Sequence, residues 1–144
     1  MRMTALLALT LTPCVSAPVT VGGPSAMRGC WIETRGDLTT TQRWFPKADH
    51  WQGDELSYPK GGDPDPVRWK LTRGGDGAPF SLCMVELSMM SSPPCWPAQF
   101  TSRAAASDED HWVEIAATPE TLKITYVTGL DRSVTFDGRR DGCD

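Results

Sequence analysis

Beyond Arg28, no ten-residue stretch shows a strong helical period of apolar residues without proline or glycine breaking it. A helix needs such a stripe to bury one face, whereas a strand needs only a few alternating positions. Between the breaks stand short runs rich in β-branched and aromatic residues, which suit a pleated surface. About nine of them follow one another near the spacing expected of a sandwich or barrel. They are Arg28–Thr34, Leu38–Phe45, Trp51–Tyr58, Val67–Arg73, Phe80–Leu87, Gln99–Ala105, Trp112–Ala117, Leu122–Thr128 and Ser133–Asp137.

Val67–Arg73 alternates most cleanly, with Val67, Trp69 and Leu71 on one side and Arg68 and Lys70 on the other. Such a run is a half-buried antiparallel strand. Phe80–Leu87 is apolar on both faces and is expected to be the most buried strand. Ser88–Pro97 reads as the one long irregular loop, because Pro93, Pro94 and Pro97 exclude a helix or a central strand. Connections elsewhere are short, so sequential strands should pair as a meander. Closing that meander leaves no exposed edge. The fold expected is all-β, a single antiparallel up-and-down barrel of about 8–9 strands.

Residues 1–17 read as a secretory signal peptide. Arg2 gives a positive start, Ala5–Leu11 a short apolar run, and Val15-Ser16-Ala17 small residues for cleavage. The apolar run is too short to span a membrane, and no second run is long enough. Leu11-Thr12-Pro13-Cys14 resembles a bacterial lipobox, but Pro13 stands where a small residue is expected. Cleavage after Ala17 is therefore favoured, with lipid anchoring through Cys14 as the alternative. Residues 18–27 form a Pro- and Gly-rich lead-in, and residues 28–144 the domain.

Loss of residues 1–17 removes one arginine and no acid, leaving 13 basic against 18 acidic residues and a net charge of −5. An acidic domain without a basic stripe cannot displace counterions from phosphate, so nucleic acid is excluded as a partner. Cys30, Cys83, Cys95 and Cys143 remain. In an exported domain an even number reads as two disulfides, with three possible connectivities. Cys83–Cys95, closing a local loop, and Cys30–Cys143, stapling the ends, are preferred. Each is worth roughly 2–4 kcal/mol.

Gly29-Cys30-Trp31 resembles the G-x-W signature of lipocalin and calycin barrels. That resemblance implies a tryptophan at the barrel base, with an arginine from the last strand, Arg139 or Arg140, packed across its ring. Gln42-Arg43-Trp44-Phe45-Pro46 and Trp51-Gln52-Gly53 extend the resemblance to a group of small bacterial lipocalin-like domains of unknown function. It covers roughly residues 28–58 and implies a barrel rather than any one ligand.

Catalytic signatures are absent from the sequence. There is no G-x-S-x-G, and the acids beside His50 and His111 should point away from them in an extended chain. Asp63/Asp65 and Asp108-Glu109-Asp110 lack the spacing of a calcium loop, and no CxxC or His pair supports zinc. No cofactor fingerprint occurs. Six tryptophans, however, exceed what one tight core of this size can hold. Trp31, Trp69 and Trp112 are read as core residues. Trp44, Trp51, Trp69 and Trp96 are the candidate ligand-lining residues, with Met84, Met89 and Met90 as adaptable apolar neighbours.

The expectation is an exported monomer, periplasmic or secreted, that binds a small apolar or amphipathic ligand without catalysis. The alternative is a protein-binding module, such as an inhibitor of a secreted enzyme, using the bridged loop Ser88–Pro97.

Overall fold

A computed structural model describes residues 22–75, 79–85, 92–100 and 110–143. The expected signal peptide, Cys14, Met89, Met90, Asp108 and Glu109 lie outside the described residues, as do parts of the fifth and sixth expected strands. Among the described residues, no helix is long and apolar enough to cross a membrane.

Nine strands form one closed barrel in sequence order. They are β1 (Gly29–Arg35), β2 (Leu38–Pro46), β3 (Trp51–Pro59), β4 (Asp65–Thr72), β5 (Phe80–Met84), β6 (Cys95–Phe100), β7 (His111–Ala117), β8 (Thr121–Thr128) and β9 (Asp131–Asp141). β9 returns to β1 through Cys30↔Asp141, Trp31↔Arg140 and Ile32↔Arg139. Both preferred disulfides are present, Cys30–Cys143 and Cys83–Cys95. Such bonds indicate an oxidising environment.

The meander has one exception. Antiparallel neighbours alternate in direction, so a closed ring of them needs an even number of strands. Nine strands therefore force a parallel pair, and it lies between β6 and β7, with Ala98 opposite Val113. All other neighbouring strands are antiparallel.

β6 also corrects the loop expected at Ser88–Pro97, because Cys95-Trp96-Pro97 already belongs to a strand. Cys83 and Cys95 stand directly opposite each other with Cα atoms 4.0 Å apart. That close approach marks a pair without mutual hydrogen bonds. The next pair outward is hydrogen-bonded, Met84 N–H donating to Pro94 O at 3.0 Å. Pro97, two residues after Cys95, repeats the geometry of Cys95 and faces Ser81. Its missing N–H is thus subtracted from the β7 side, where pairing starts only at Ala98.

The most buried strand is β7, not the fifth run. Val113, Ile115 and Ala117 face the interior. Trp112 and Glu114 are also buried, on the outer face, where Trp112 Nε1 donates to Glu114 Oε1 at 3.3 Å and Arg132 pairs with Glu114. Trp112 therefore belongs to the outer wall rather than the barrel core. The polar ending also differs from expectation, since Gly138–Asp141 continues β9 and closes the barrel.

The core fills the end where β1 begins and β9 ends. Trp31 and Trp44 are buried there with Leu71, Ala98, Ile115 and Leu122. A 3-10 turn, Pro24–Met27, caps this base, with Met27 fully buried and Gly22 N–H donating to Ala117 O. Trp31 Nε1 donates to Met27 O at 2.7 Å. Arg140, not Arg139, lies 4.1 Å from the Trp31 ring. It is held by Nη1 donating to Arg28 O.

Gly53 stands opposite Trp44 in the register and is buried beneath its indole. A Cβ there would sit 2.6–2.7 Å from three ring carbons of Trp44. Gly53→Ala is expected to lower stability by about 1–3 kcal/mol through overpacking. Urea unfolding followed by tryptophan emission would measure it, and an unchanged midpoint would mean that Trp44 can move aside.

Candidate functional site

Strand alternation turns Gln42, Glu55, Trp69, Leu82, Trp96, Val113 and Tyr126 inward, with Gln42 opposite Glu55, Leu82 opposite Trp96 and Val113 opposite Tyr126. Above the packed base these side chains surround a cavity of about 360 Å³. One wall is aromatic. Trp69 and Trp96 are tilted with ring centroids 6.4 Å apart, and Trp96 meets Tyr126 edge-on at 6.1 Å. Leu82, Val113, Ile124 and Phe136 complete the apolar lining.

The polar groups are few and connected. Trp44 Nε1 donates to Gln42 Oε1 at 2.9 Å. Gln42 Nε2 donates to Glu55 Oε2 at 2.6 Å, and Trp69 Nε1 donates to the same oxygen at 3.1 Å. Gln42 is thus bonded through both ends of its amide, and Glu55 is anchored by one oxygen. Burial pushes the Glu55 carboxyl above the ordinary glutamate range, although both hydrogen bonds oppose this. The negative charges of Asp65 and Glu33 push it further up.

The sign of this effect predicts a stability change. A carboxyl with a raised folded-state pKa favours folding only while it is protonated. That contribution is present in acid and is lost as pH rises through the folded pKa, above the ordinary glutamate range. Glu55→Gln keeps an oxygen for Gln42 and Trp69 but cannot ionise. It is expected to raise the melting temperature at neutral pH and to match the wild type in acid. A neutral-pH decrease would show that the charge stabilises the fold.

The four candidate tryptophans do not share one site. Trp69 and Trp96 line the cavity. Trp44 lies below it, 1% exposed, and is linked to it by its hydrogen bond to Gln42. Trp51 lies at the opposite end, in a hollow of about 440 Å³ between the 3-10 turn and the β2–β3 loop. Met84 pairs with Trp69 across β4 and β5. Glu55 was not among the residues the sequence singled out, and Gln42 entered only as part of the Gln42–Pro46 motif, not as a candidate lining residue. The signal available was two polar residues on the inward alternation of neighbouring strands, in phase with Trp44 and Trp51.

Outside the cavity, Asp49 and His50 do meet, Oδ1 to Nδ1 at 2.6 Å, because Ala48–His50 bends instead of extending. The histidine holds the Asp49 carboxyl below its ordinary range. Ser25 lines the same hollow, but no hydrogen bond joins it to His50 among the described residues. His111 stacks on Tyr126 at 6.3 Å, and its Nδ1 lies 3.3 Å from both Tyr126 Oη and Thr128 Oγ1. Among the described residues, no three His, Cys, Asp or Glu side chains come together as a metal site. No family model, curated protein or solved structure matches the chain.

Proposed function

We propose that this chain is an exported, lipocalin-like binding protein that holds a small apolar or amphipathic ligand inside its barrel, without catalysis and as a monomer. One observation carries the reading. The closed barrel keeps about 360 Å³ between Trp69, Trp96, Tyr126 and Phe136, while its base is packed solid. A concave apolar space with a few fixed polar groups is the usual form of a small-ligand site. The hollow at Trp51, though larger, lies outside the base among Lys47, Asp49 and Arg73 and lacks such walls.

The lipocalin-like part of the proposal draws on the base. Trp31 at the start of β1, under an arginine of the last strand, matches the arrangement that the G-x-W resemblance implies. Export is supported by the two disulfides and by the leader-like residues 1–17. The periplasm or the exterior would be the site of action.

Native mass spectrometry of protein purified from its own host tests the reading. The expected result is a mass excess that vanishes on denaturation, together with quencher protection of tryptophan emission that is lost with it. A bare chain that also fails to bind any of a library of small apolar compounds would overturn it.

A further inference from the structure

The polar chemistry of the cavity is one-sided. Its lining includes a carboxyl group but no lysine, arginine or histidine. The charges of Asp65 and Glu33, both also negative, act on Glu55. Arg35, the cation beside Glu33, is engaged with it at 2.5 Å. A carboxylate in apolar surroundings without a cation is unfavourable, and folds keep such groups mainly where a site uses them.

The carboxyl also has a defined free side. Oε2 accepts from Gln42 and Trp69, which fixes the plane of the group. Oε1 makes no hydrogen bond among the described residues, yet no described buried side-chain oxygen or nitrogen is left without a partner. Oε1 is therefore accessible, and Glu55 forms part of the cavity wall. Gln42, with Oε1 taken by Trp44 and Nε2 given to Glu55, does not compete for a donor.

We propose that the ligand is a small primary amine, its ammonium group received by Glu55 Oε1 and its apolar part held against Trp69, Trp96 and Tyr126. This rests on the reading of the cavity as a ligand site. The ammonium supplies the donor and the charge that the cavity lacks. Aromatic faces attract cations more strongly once water is excluded. The volume lies at the low end of the roughly 300–1,000 Å³ typical of ligand pockets, which suits a small amine better than a lipid.

Three probes of one shape separate the possibilities: phenethylamine, phenethyl alcohol and phenylpropanoate, titrated into the oxidised full-length protein by calorimetry and tryptophan fluorescence. At neutral pH the amine should bind about tenfold or more tightly than the alcohol, since both can donate to the Glu55 carboxylate but only the ammonium adds an opposite charge in a water-poor cavity. The carboxylate should bind weakest. Glu55→Gln should erase the preference for the amine, weakening the amine far more than the alcohol. In the wild type, acid should erase it as well, because Glu55 becomes protonated while the amine stays charged. The groups facing Glu55 there are Gln42 from β2, Asp65 and Trp69 from β4 and Glu33 from β1. Equal binding of amine and alcohol, or tighter binding of the carboxylate, would overturn the amine and leave the cavity reading intact. If no probe binds, both fall. Should Glu55→Gln fail to fold, the wild-type ranking and its pH series still decide.

Discussion

Replacing Trp31 with alanine is expected to lower stability by about 3–5 kcal/mol, the range for truncating a buried aromatic residue to alanine. The upper part of that range applies because the side chain does three things at once. It fills the base of the barrel at 0% exposure. Its Nε1 satisfies Met27 O, which ties the 3-10 cap to the first strand. Its ring also lies under the Arg140 guanidinium, and Arg140 reaches Arg28 O and Pro119 O. Alanine leaves a cavity, an unpaired carbonyl and an arginine without its platform. A domain typically has about 5–15 kcal/mol in total, so the variant should stand near the threshold of folding. Urea unfolding by circular dichroism measures the loss. Trp31→Phe, which keeps a ring but loses the donor, should be less severe. A loss below about 1 kcal/mol for alanine would place the base's stability elsewhere.

Local rules carried the strand pattern. β2, β3, β4 and β8 lie within a residue or two of the positions that turn residues and alternation marked, because those signals need no knowledge of a partner. Non-local features were not legible in the same way. Pro97 reads as a strand breaker until its neighbours are known. Only the register with Cys83 and the late start of β7 pairing show that its missing N–H removes nothing. Arg139-Arg140-Asp141 looks like a polar tail because the β1 partners that make it close the barrel lie more than a hundred residues earlier, at Cys30–Ile32. Burial on the outer face of β7 includes Glu114, paired with Arg132, and no periodicity announces that pair.

The candidate site shows the same division. Trp69 and Trp96 could be picked as aromatic residues, but which tryptophans share a space depends on the barrel's ring of neighbours. That ring places Trp51 at the base and Trp69 at the cavity. Glu55 was hidden among eighteen acids. What distinguishes it is its phase. It alternates inward with Gly53, opposite Gln42 on one side and Val67 on the other, where an acid is least expected. The hydrogen bond to Trp69 reflects that phase, for the two are diagonal neighbours on the interior face.

Removing the Cys30–Cys143 disulfide by paired serine substitution is expected to destabilise the oxidised protein by about 4–5 kcal/mol on the chain-entropy account. The bond joins residues 113 apart, whereas Cys83 and Cys95 are 12 apart. A longer closed loop restricts the unfolded chain more, so the corresponding loss for Cys83–Cys95 should be smaller, about 3 kcal/mol. Topology adds to the difference. β1 and β9 share three register pairs, against seven between β1 and β2, so the seam that closes the barrel is short. Cys143 lies just beyond β9 and anchors its end at the first turn of that seam. The terminal variant should therefore lose amide protection at Trp31–Ile32 and Arg139–Arg140 before the rest of the barrel opens. The local variant should keep protection there. Urea midpoints and hydrogen exchange on the two paired variants separate these outcomes. If the Cys83–Cys95 variant proved the weaker fold, β5–β6 rather than the β1–β9 seam would be where the barrel is held shut.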